Sequence, residues 1–503
     1  MPRIIEKYRV NADGIPVEIT IADREDELVT TYEVAPVKLQ KPTEVVLEHI
    51  KERIIEDVNL KASEMLDIRA AESMKKKFLA KANELVEREV MNITDETRSV
   101  LVGKLTHDLI GLGDIELLLA DENLEEIVVN SSAEPLWVYH KRHGWLKTNF
   151  FLKSEEQIQN YASIIGRRVG KQVTNLSPIL DAHLTTGDRA NATLFPIATK
   201  GNAITIRKFA KTPWTAANLI YPMKTINYEV AALLWLCVQY EMNIIFAGGT
   251  ASGKTSLLNA ALVFVPPNQR IVSIEETREL YLPAFLHWTP MVTRSPNPEG
   301  KGEVTMLDLM VNSLRMRPDR IVVGEIRRQH EAEVLFEAMH TGHSVYSTIH
   351  ADNAEQMINR MTTPPINLPE SMLGAVHLVF VQYRQRRTGI RRTLEVAELL
   401  PGEKEVRLNR VWRWNAKKDD VERAGNYVRL LTELELYTGM NEKEINEDLR
   451  EKEEILAYMV KNRIYDIDEV GRIAATYYRN RDAVVDAVQK KKGPEVLLRR
   501  EGS

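Results

Sequence analysis

The chain has 503 residues, 44% of them hydrophobic and 28% charged, with a formal net charge of −5. That length supports two or three domains with cores of their own, and that balance belongs to a globular protein, not to a disordered or collagen-like one. A slightly acidic chain carries no global basic field for nucleic acid, and a single cysteine, Cys237 in an apolar run, excludes an internal disulfide and a cysteine-rich zinc site.

No apolar run reaches the roughly 20 residues that span a bilayer, and MPRIIEKYRV lacks the apolar centre of a signal peptide, so a cytoplasmic chain is expected. Residues 1–36 alternate in short runs, such as Val17-Glu18-Ile19-Thr20-Ile21 and Thr31-Tyr32-Glu33-Val34, and read as a small β unit. From Pro42 the apolar residues recur at helical spacing, giving charged helices over about 42–58, 62–93 and 96–110. Residues 111–212 have the mixed rhythm of an α/β domain. Strands are expected at 124–130 and 136–139, with a hairpin at His140-Lys141-Arg142-His143-Gly144. A helix capped by Ser154 follows, and then strands at 190–195 and 203–206. His140 and His143 lack a third ligand nearby, so they read as structural rather than metal-binding.

Pro213 and Pro222 bracket a passage that we place as a linker over 213–226. From 227 strands alternate with helices, the pattern of a mostly parallel sheet, with strands expected at 243–247, 270–274, 320–324, 344–349 and 378–382. Residues 287–304, rich in proline and glycine, read as a long polar insertion. Strands at 394–400 and 405–414 and helices at about 430–437, 442–462, 466–478 and 481–490 finish the chain. Lys490-Lys491-Lys492 and Arg499-Arg500-Glu501 are expected to be frayed. The divisions are therefore 1–110, 111–212, the linker 213–226, and 227–503.

The stretch that gives this order its meaning is NIIFAGGTASGKTSLLN, residues 243–259. An apolar strand runs into G-x-x-x-x-G-K-T, Gly248 to Thr255, and then into a helix, the setting a phosphate-binding loop requires. Glycine lets backbone N–H groups turn inward, and the helix N-terminus adds partial positive charge. Gly248, Gly249, Thr250, Ala251, Ser252, Gly253, Lys254, Thr255 and Ser256 are thus the expected nucleotide cradle. Lys254 would reach the β and γ phosphates, and the Thr255 hydroxyl would ligate Mg²⁺.

Four further groupings surround it. Arg320-Ile321-Val322-Val323-Gly324-Glu325 is an apolar strand ending in a carboxylate that can hold Mg²⁺. Ile271-Val272-Ser273-Ile274-Glu275-Glu276 delivers acids to the same edge, where Glu275 could orient and deprotonate water. The run 341–350, TGHSVYSTIH, ends in His350, which could bond the γ-phosphate or the acid. Arg189, Arg207, Arg294, Arg315, Arg317 and Arg327 are the candidates for stabilising phosphoryl charge, including across a subunit boundary.

GGTASGKT, IVSIEETREL, LRMRPDRIVVGEIR and MHTGHSVYSTIHADN, in that order, closely resemble the four boxes of the type II, type IV pilus and type IV secretion superfamily ATPases. Archaellum motors and archaeal pilus-assembly ATPases are the nearest in flavour, with ITIRKF before the linker and no tetracysteine insert. The resemblance implies a RecA-like P-loop NTPase domain with a mostly parallel sheet. An α/β, PAS-like N-terminal domain and a helical extension would precede it. It also implies ATP and Mg²⁺ as ligands and a homo-hexamer under a polytopic membrane platform protein. Hydrolysis would then drive assembly of pilin-like filament subunits from the inner face of the cytoplasmic membrane. By the family pattern Glu275 is the catalytic acid, Glu325 the Walker B acid and His350 the His-box residue. Arg189 and Arg207 are its candidates for trans-acting arginines, and Thr255 and Glu325 face the metal. One departure is Glu276, where the family's box carries aspartate. A hexameric RecA-like nucleic-acid translocase is the alternative reading, but no basic, aromatic-interleaved stretch supports it. A non-hydrolysing scaffold and a small-molecule kinase fit less well, given the two acids and the His box.

Overall fold

The computed structural model describes residues 2–35, 41–57, 68–90, 93–184, 187–208, 213–296, 300–402 and 405–498, and it divides into two compact units, Met1–Lys211 and Thr212–Ser503. Part of the second helix expected at 62–93, and the tail Arg499-Arg500-Glu501, lie outside the described residues.

In the first unit β1 (Arg3–Ala12), β2 (Ile15–Asp23) and β3 (Thr31–Val34) are followed by α1 (Lys41–Asp57), α2 (Ile68–Glu89), α3 (Asp95–Leu109) and α4 (Ile115–Leu119). Then come β4 (Leu124–Val129), β5 (Trp137–His140), β6 (Gly144–Thr148), α5 (Glu155–Arg168), β7 (Ile179–His183), β8 (Arg189–Thr193) and β9 (Ala203–Arg207). Ser154 caps α5 as expected, its hydroxyl accepting the Gln157 amide at 3.3 Å. All nine strands form one sheet in the order β1-β2-β3-β6-β5-β4-β9-β8-β7, in which only β3 and β6 run parallel. Residues 1–36, expected as a small unit of their own, therefore share a sheet with the strands after residue 111. The junction is the pairing of β3 with β6, and Asp121, 1% exposed, adds a second tie by gathering the Tyr8 hydroxyl (2.6 Å) and the Tyr32 hydroxyl (2.7 Å) on one carboxylate oxygen. A buried carboxylate needs donors, and the early strands supply them. α1, α2 and α3 pack together through Ile50, Ile54, Phe78, Leu85 and Leu101, a separate small core.

The second unit opens with α6 (Ala216–Ile220) and α7 (Tyr228–Gln239), and continues with β10 (Ile244–Gly248), α8 (Lys254–Leu262), β11 (Ile271–Glu275), β12 (Trp288–Val292), α9 (Met306–Ser313), β13 (Arg320–Val323), α10 (Gln329–His340), β14 (Ser344–Ile349), α11 (Ala354–Thr362), β15 (Leu378–Arg384) and β16 (Arg391–Leu400). It closes with β17 (Arg407–Asn415), β18 (Asp420–Arg423), α12 (Arg429–Thr438), α13 (Glu442–Lys461), α14 (Ile467–Arg479), α15 (Arg481–Gln489) and α16 (Glu495–Leu498). The sheet order is β12-β11-β13-β14-β10-β15-β16-β17-β18. Pairing is parallel from β12 to β15 and antiparallel from β15 to β18. β10, β11, β13 and β14 are buried along their whole length, which is why they read as unbroken apolar runs.

Three expectations change in this unit. The stretch 213–226, expected as a linker, contains α6, whose Ala216, Ala217 and Leu219 are buried in the core against α7 and α8. The stretch 287–304 is not loop throughout: β12 adds a parallel edge strand to β11, and Arg294 bridges Val304. Its half-exposed pattern hid it, because an edge strand has one neighbour to bury against. Lys490 and Lys492, expected to fray, both bond Asp486, and the Lys492 carbonyl accepts the Tyr458 hydroxyl at 2.8 Å.

Arg320, at the start of β13, is fully buried. Its guanidinium donates to Gln269, the Ser344 and Tyr346 hydroxyls and the Val238 carbonyl at 2.6–2.9 Å, so every arm is satisfied. This arginine belongs to the amino end of the sheet and is structural.

Candidate active site

β11, β13, β14 and β10 are consecutive neighbours and parallel, so their carboxyl ends open on one edge. That edge receives the loop 248–253 after β10, Glu275 as the last residue of β11, Glu325 two residues past β13, and His350 next after β14. In an open parallel sheet, ligands collect at such an edge.

The loop is built as a cradle. Gly248 has φ 149° and Gly253 φ 99°, and Ala251 between them takes φ 57°, which non-glycine residues seldom adopt. A Cβ on Gly248 would lie 2.3 Å from the Gln382 carbonyl, so only glycine fits against β15. Lys254 is 7% exposed, and its ammonium curls back to donate to the carbonyls of Gly248 (2.8 Å) and Gly249 (2.9 Å). Burial pushes its pKa down to about 8, with Glu325 acting against the shift. Donors held in a glycine-rich turn beside a buried ammonium suit a triphosphate. Thr255 follows Lys254 in the first turn of α8.

A chain of contacts leaves Lys254. Its Nζ lies 3.3 Å from His350 Nδ1, which must therefore accept, and His350 Nε2 lies 3.3 Å from Glu325 Oε1, to which it donates. Burial first, and the Lys254 charge second, lower the His350 pKa, so the ring is neutral at pH 7. Arg327 then ties Glu325 (2.7 Å) to Glu276 (2.6 Å). The Lys254, His350, Glu325, Arg327 and Glu276 side chains thus form one connected network.

Glu275 stands apart. It is 2% exposed, and its Oε1 accepts the backbone amides of Glu279 (2.9 Å) and Leu280 (3.1 Å). Its Oε2 is buried with no donor. Burial raises its pKa to about 7, against the pull of those two amides. A carboxyl poised near neutrality with one oxygen free can accept a proton from water. Glu276, its exposed neighbour, is engaged by Arg327, so the extra methylene noted in sequence falls on the acid that holds an ion pair.

The structure separates the candidate arginines. Arg327 alone of the six joins this network. Arg294 donates to the Gly302 carbonyl (2.6 Å) and Arg315 to the Val311 carbonyl (3.2 Å), while Arg317 sits at φ 52°. Arg189 and Arg207 belong to the first unit, directly opposite each other on β8 and β9, and Asp181 holds Arg189 by two bonds of 2.9 and 3.1 Å. Like charges opposite each other on a sheet cost stability unless an anion sits between them.

Magnesium prefers oxygen ligands and keeps several waters, taking one or two carboxylates besides phosphate oxygens. Among the described residues no group of three or more histidine, cysteine, aspartate or glutamate side chains is arranged to hold a metal. Thr255 and Glu325, with triphosphate oxygens completing the set, match that sparse requirement.

One residue that contacts the loop escaped the sequence reading. Arg391, at the start of β16, donates from Nε to the Ala251 carbonyl at 2.9 Å and so holds the apex of the loop. It comes 140 positions later with no motif of its own, so nothing local marked it. Arg391→Ala should raise KM for ATP about five- to tenfold with a smaller change in kcat, measured by steady-state phosphate release, because the loop loses its preset shape and not its chemistry.

Residues 121–398 match the family described as Type II/IV secretion system protein. An uncharacterized protein of Methanocaldococcus jannaschii is 37% identical over 398 residues, covering 77% of this chain and 71% of that protein. A putative conjugal transfer protein of Mycobacterium tuberculosis is 32% identical, covering 61% of this chain and 90% of its own. The type IV secretion system protein PtlH of Bordetella pertussis is 29% identical, with coverages of 54% and 89%. Among solved structures, the pilus retraction motor PilT with bound ADP aligns with a TM-score of 0.41 at 17% identity, over 73% of this chain and 92% of that one.

Proposed function

The chain belongs to the Type II/IV secretion system protein family and is an ATPase, and on that footing we propose that it is a Mg²⁺-dependent hexameric motor. Its hydrolysis of ATP would power assembly of, or secretion through, a type IV pilin-like filament system such as an archaellum or pilus. The observation that carries this reading is the meeting of the glycine-rich loop, Glu275, Glu325 and His350 at the carboxyl ends of four adjacent parallel strands. The secretion-system relative, PtlH of Bordetella pertussis, supports this class of work. Among the described residues no helix is long and apolar enough to cross a membrane. In this reading the motor acts from the cytoplasmic side, on a polytopic platform protein.

Each side chain has a task in this proposal. Lys254 leaves its carbonyls for phosphate oxygens, Glu275 orients the attacking water and takes its proton, and Glu325 with Thr255 serves the metal. A bound magnesium ion would supply charge neutralisation on the phosphate oxygens. His350 couples the lysine to Glu325, so loss of the γ-phosphate changes the hydrogen bonds of both. Arg189 and Arg207 are assigned to the triphosphate of a neighbouring protomer. Contacts made only in one arrangement of protomers give the nucleotide unequal affinity for two states, which a motor requires.

Light scattering with and without a non-hydrolysable ATP analogue tests the assembly, with a sixfold mass expected when nucleotide is bound. A monomer under both conditions would exclude the ring. In the same protein Glu325→Gln should bind nucleotide with unchanged Kd while turnover falls by at least 100-fold. Turnover at the parental rate would remove Glu325 from the site.

A further inference from the structure

The helices after β18 enclose a second feature, at the opposite end of the sheet from the phosphate loop. A groove of about 720 Å³ is lined by Tyr240, Gln269, Met440, Glu447, Asp448 and Arg481 among others. Tyr240 follows α7 just before β10, and Gln269 precedes β11, so the groove opens at the amino ends of the strands. Most of its wall comes from α13 and its neighbours, outside the stretch 121–398 that matches the family.

Its electrostatics are uneven. Asp448 is 6% exposed. One of its oxygens, Oδ1, is shared by Lys452 and the Tyr477 hydroxyl, the latter at 2.6 Å, while Oδ2 is buried with no donor. Lys452 is fully buried beside the rings of Trp235 (5.7 Å) and Tyr477 (4.9 Å) and is committed to Asp448. Arg481 is committed likewise, bonding Glu451 with both arms at 2.7 and 2.8 Å. Each cation therefore already has its anion. Glu447 on the rim has no cation, and the second oxygen of Asp448 has no donor, among the contacts described. A buried acceptor without a donor is costly, and an incoming N–H group would relieve it. The walls suit such a group's apolar stem, since Tyr240, Tyr477 and Met440 stand around it and the Tyr240 hydroxyl is already bonded to Met440 Sδ at 3.4 Å.

We propose that this groove is a docking site for an arginine or lysine side chain of a basic segment in a partner protein, whose cation lodges against Asp448 and Glu447. Charge complementarity and the unmatched carboxylate oxygen select that occupant. Leu436 and Tyr437, in the last turn of α12 just before Met440, are 73% and 78% exposed and offer apolar footing for neighbouring residues of the segment.

Fluorescence anisotropy with the full chain, at 150 mM salt, and a fluorescein-labelled hexa-arginine peptide tests the site. A Gly-Ser peptide of equal length is the reference. Glu447→Gln, at an exposed position, should weaken peptide binding about fivefold, and Asp448→Asn at least tenfold. Glu435→Gln, which removes the same charge from exposed α12 outside the groove, should leave binding unchanged. Circular dichroism melting checks that Asp448→Asn still folds, and Glu447→Gln answers the question if it does not. Equal weakening by Glu435→Gln would show a diffuse charge effect and overturn the site, as would unaltered binding to Glu447→Gln or equal affinity for the Gly-Ser peptide.

Discussion

Replacing Lys254 by alanine is expected to lower kcat/KM for ATP by about a thousandfold or more, with loss of tight nucleotide binding. The argument begins from burial. Lys254 is 7% exposed, and its ammonium is held by two loop carbonyls at 2.8 and 2.9 Å and by the His350 ring at 3.3 Å. A charge kept at such a place, against a burial that drives its pKa to about 8, serves an anion that arrives there. Alanine removes the only cation that the loop itself supplies, and it also frees His350 from its donor. Phosphate release and displacement of a fluorescent nucleotide analogue measure the two losses separately. Hydrolysis at the parental rate would mean that the triphosphate does not sit on this loop.

Glu275→Gln is expected to reduce turnover by at least two to three orders of magnitude, and the parent's pH profile should carry the signature of this acid. With its carboxyl near pKa 7 and the Lys254 ammonium near 8, kcat/KM should rise as pH passes about 7 and fall above about 8. Stability should run the other way. The folded protein holds the Glu275 proton up to about pH 7, whereas the unfolded chain releases it near the ordinary value of 4.5. Between those values the folded state binds more protons, so stability falls as pH rises through the window, by about 3 kcal/mol in all. Denaturant titrations at pH 5 and pH 8 should show that slope in the parent and a flatter one in Glu275→Gln. A parent profile with no limb near 7 would move the catalytic proton to another group. The site thus carries an unfavourable buried acid at neutral pH, as expected where a group is kept for chemistry.

The four boxes were legible because each is a local pattern. An unbroken apolar run such as Ile244-Ile245-Phe246-Ala247, bounded by a glycine turn, reads as a strand covered on both faces, and the residue just past it then stands at the carboxyl edge. This reasoning placed Glu275, Glu325, His350 and the phosphate loop without coordinates, and the helices α12 to α15 followed from their periodicity.

Other features depend on what lies across space. Glu275 and Glu276 are adjacent and chemically alike, yet one is buried with an oxygen unmatched and the other is held by Arg327 at the surface. Only the residues packed over a position decide that, and they come from β13 and from the turn at 279–280. Asp121 bonds Tyr32 from 89 positions away, and Arg391 reaches back 140 positions to the loop. The amino-acid sequence alone determined which residues gather at the carboxyl edge of the parallel strands, since backbone direction and burial pattern are short-range properties. Tertiary structure decided their charge states and their supports, because desolvation and hydrogen bonding are set by whatever the fold brings alongside.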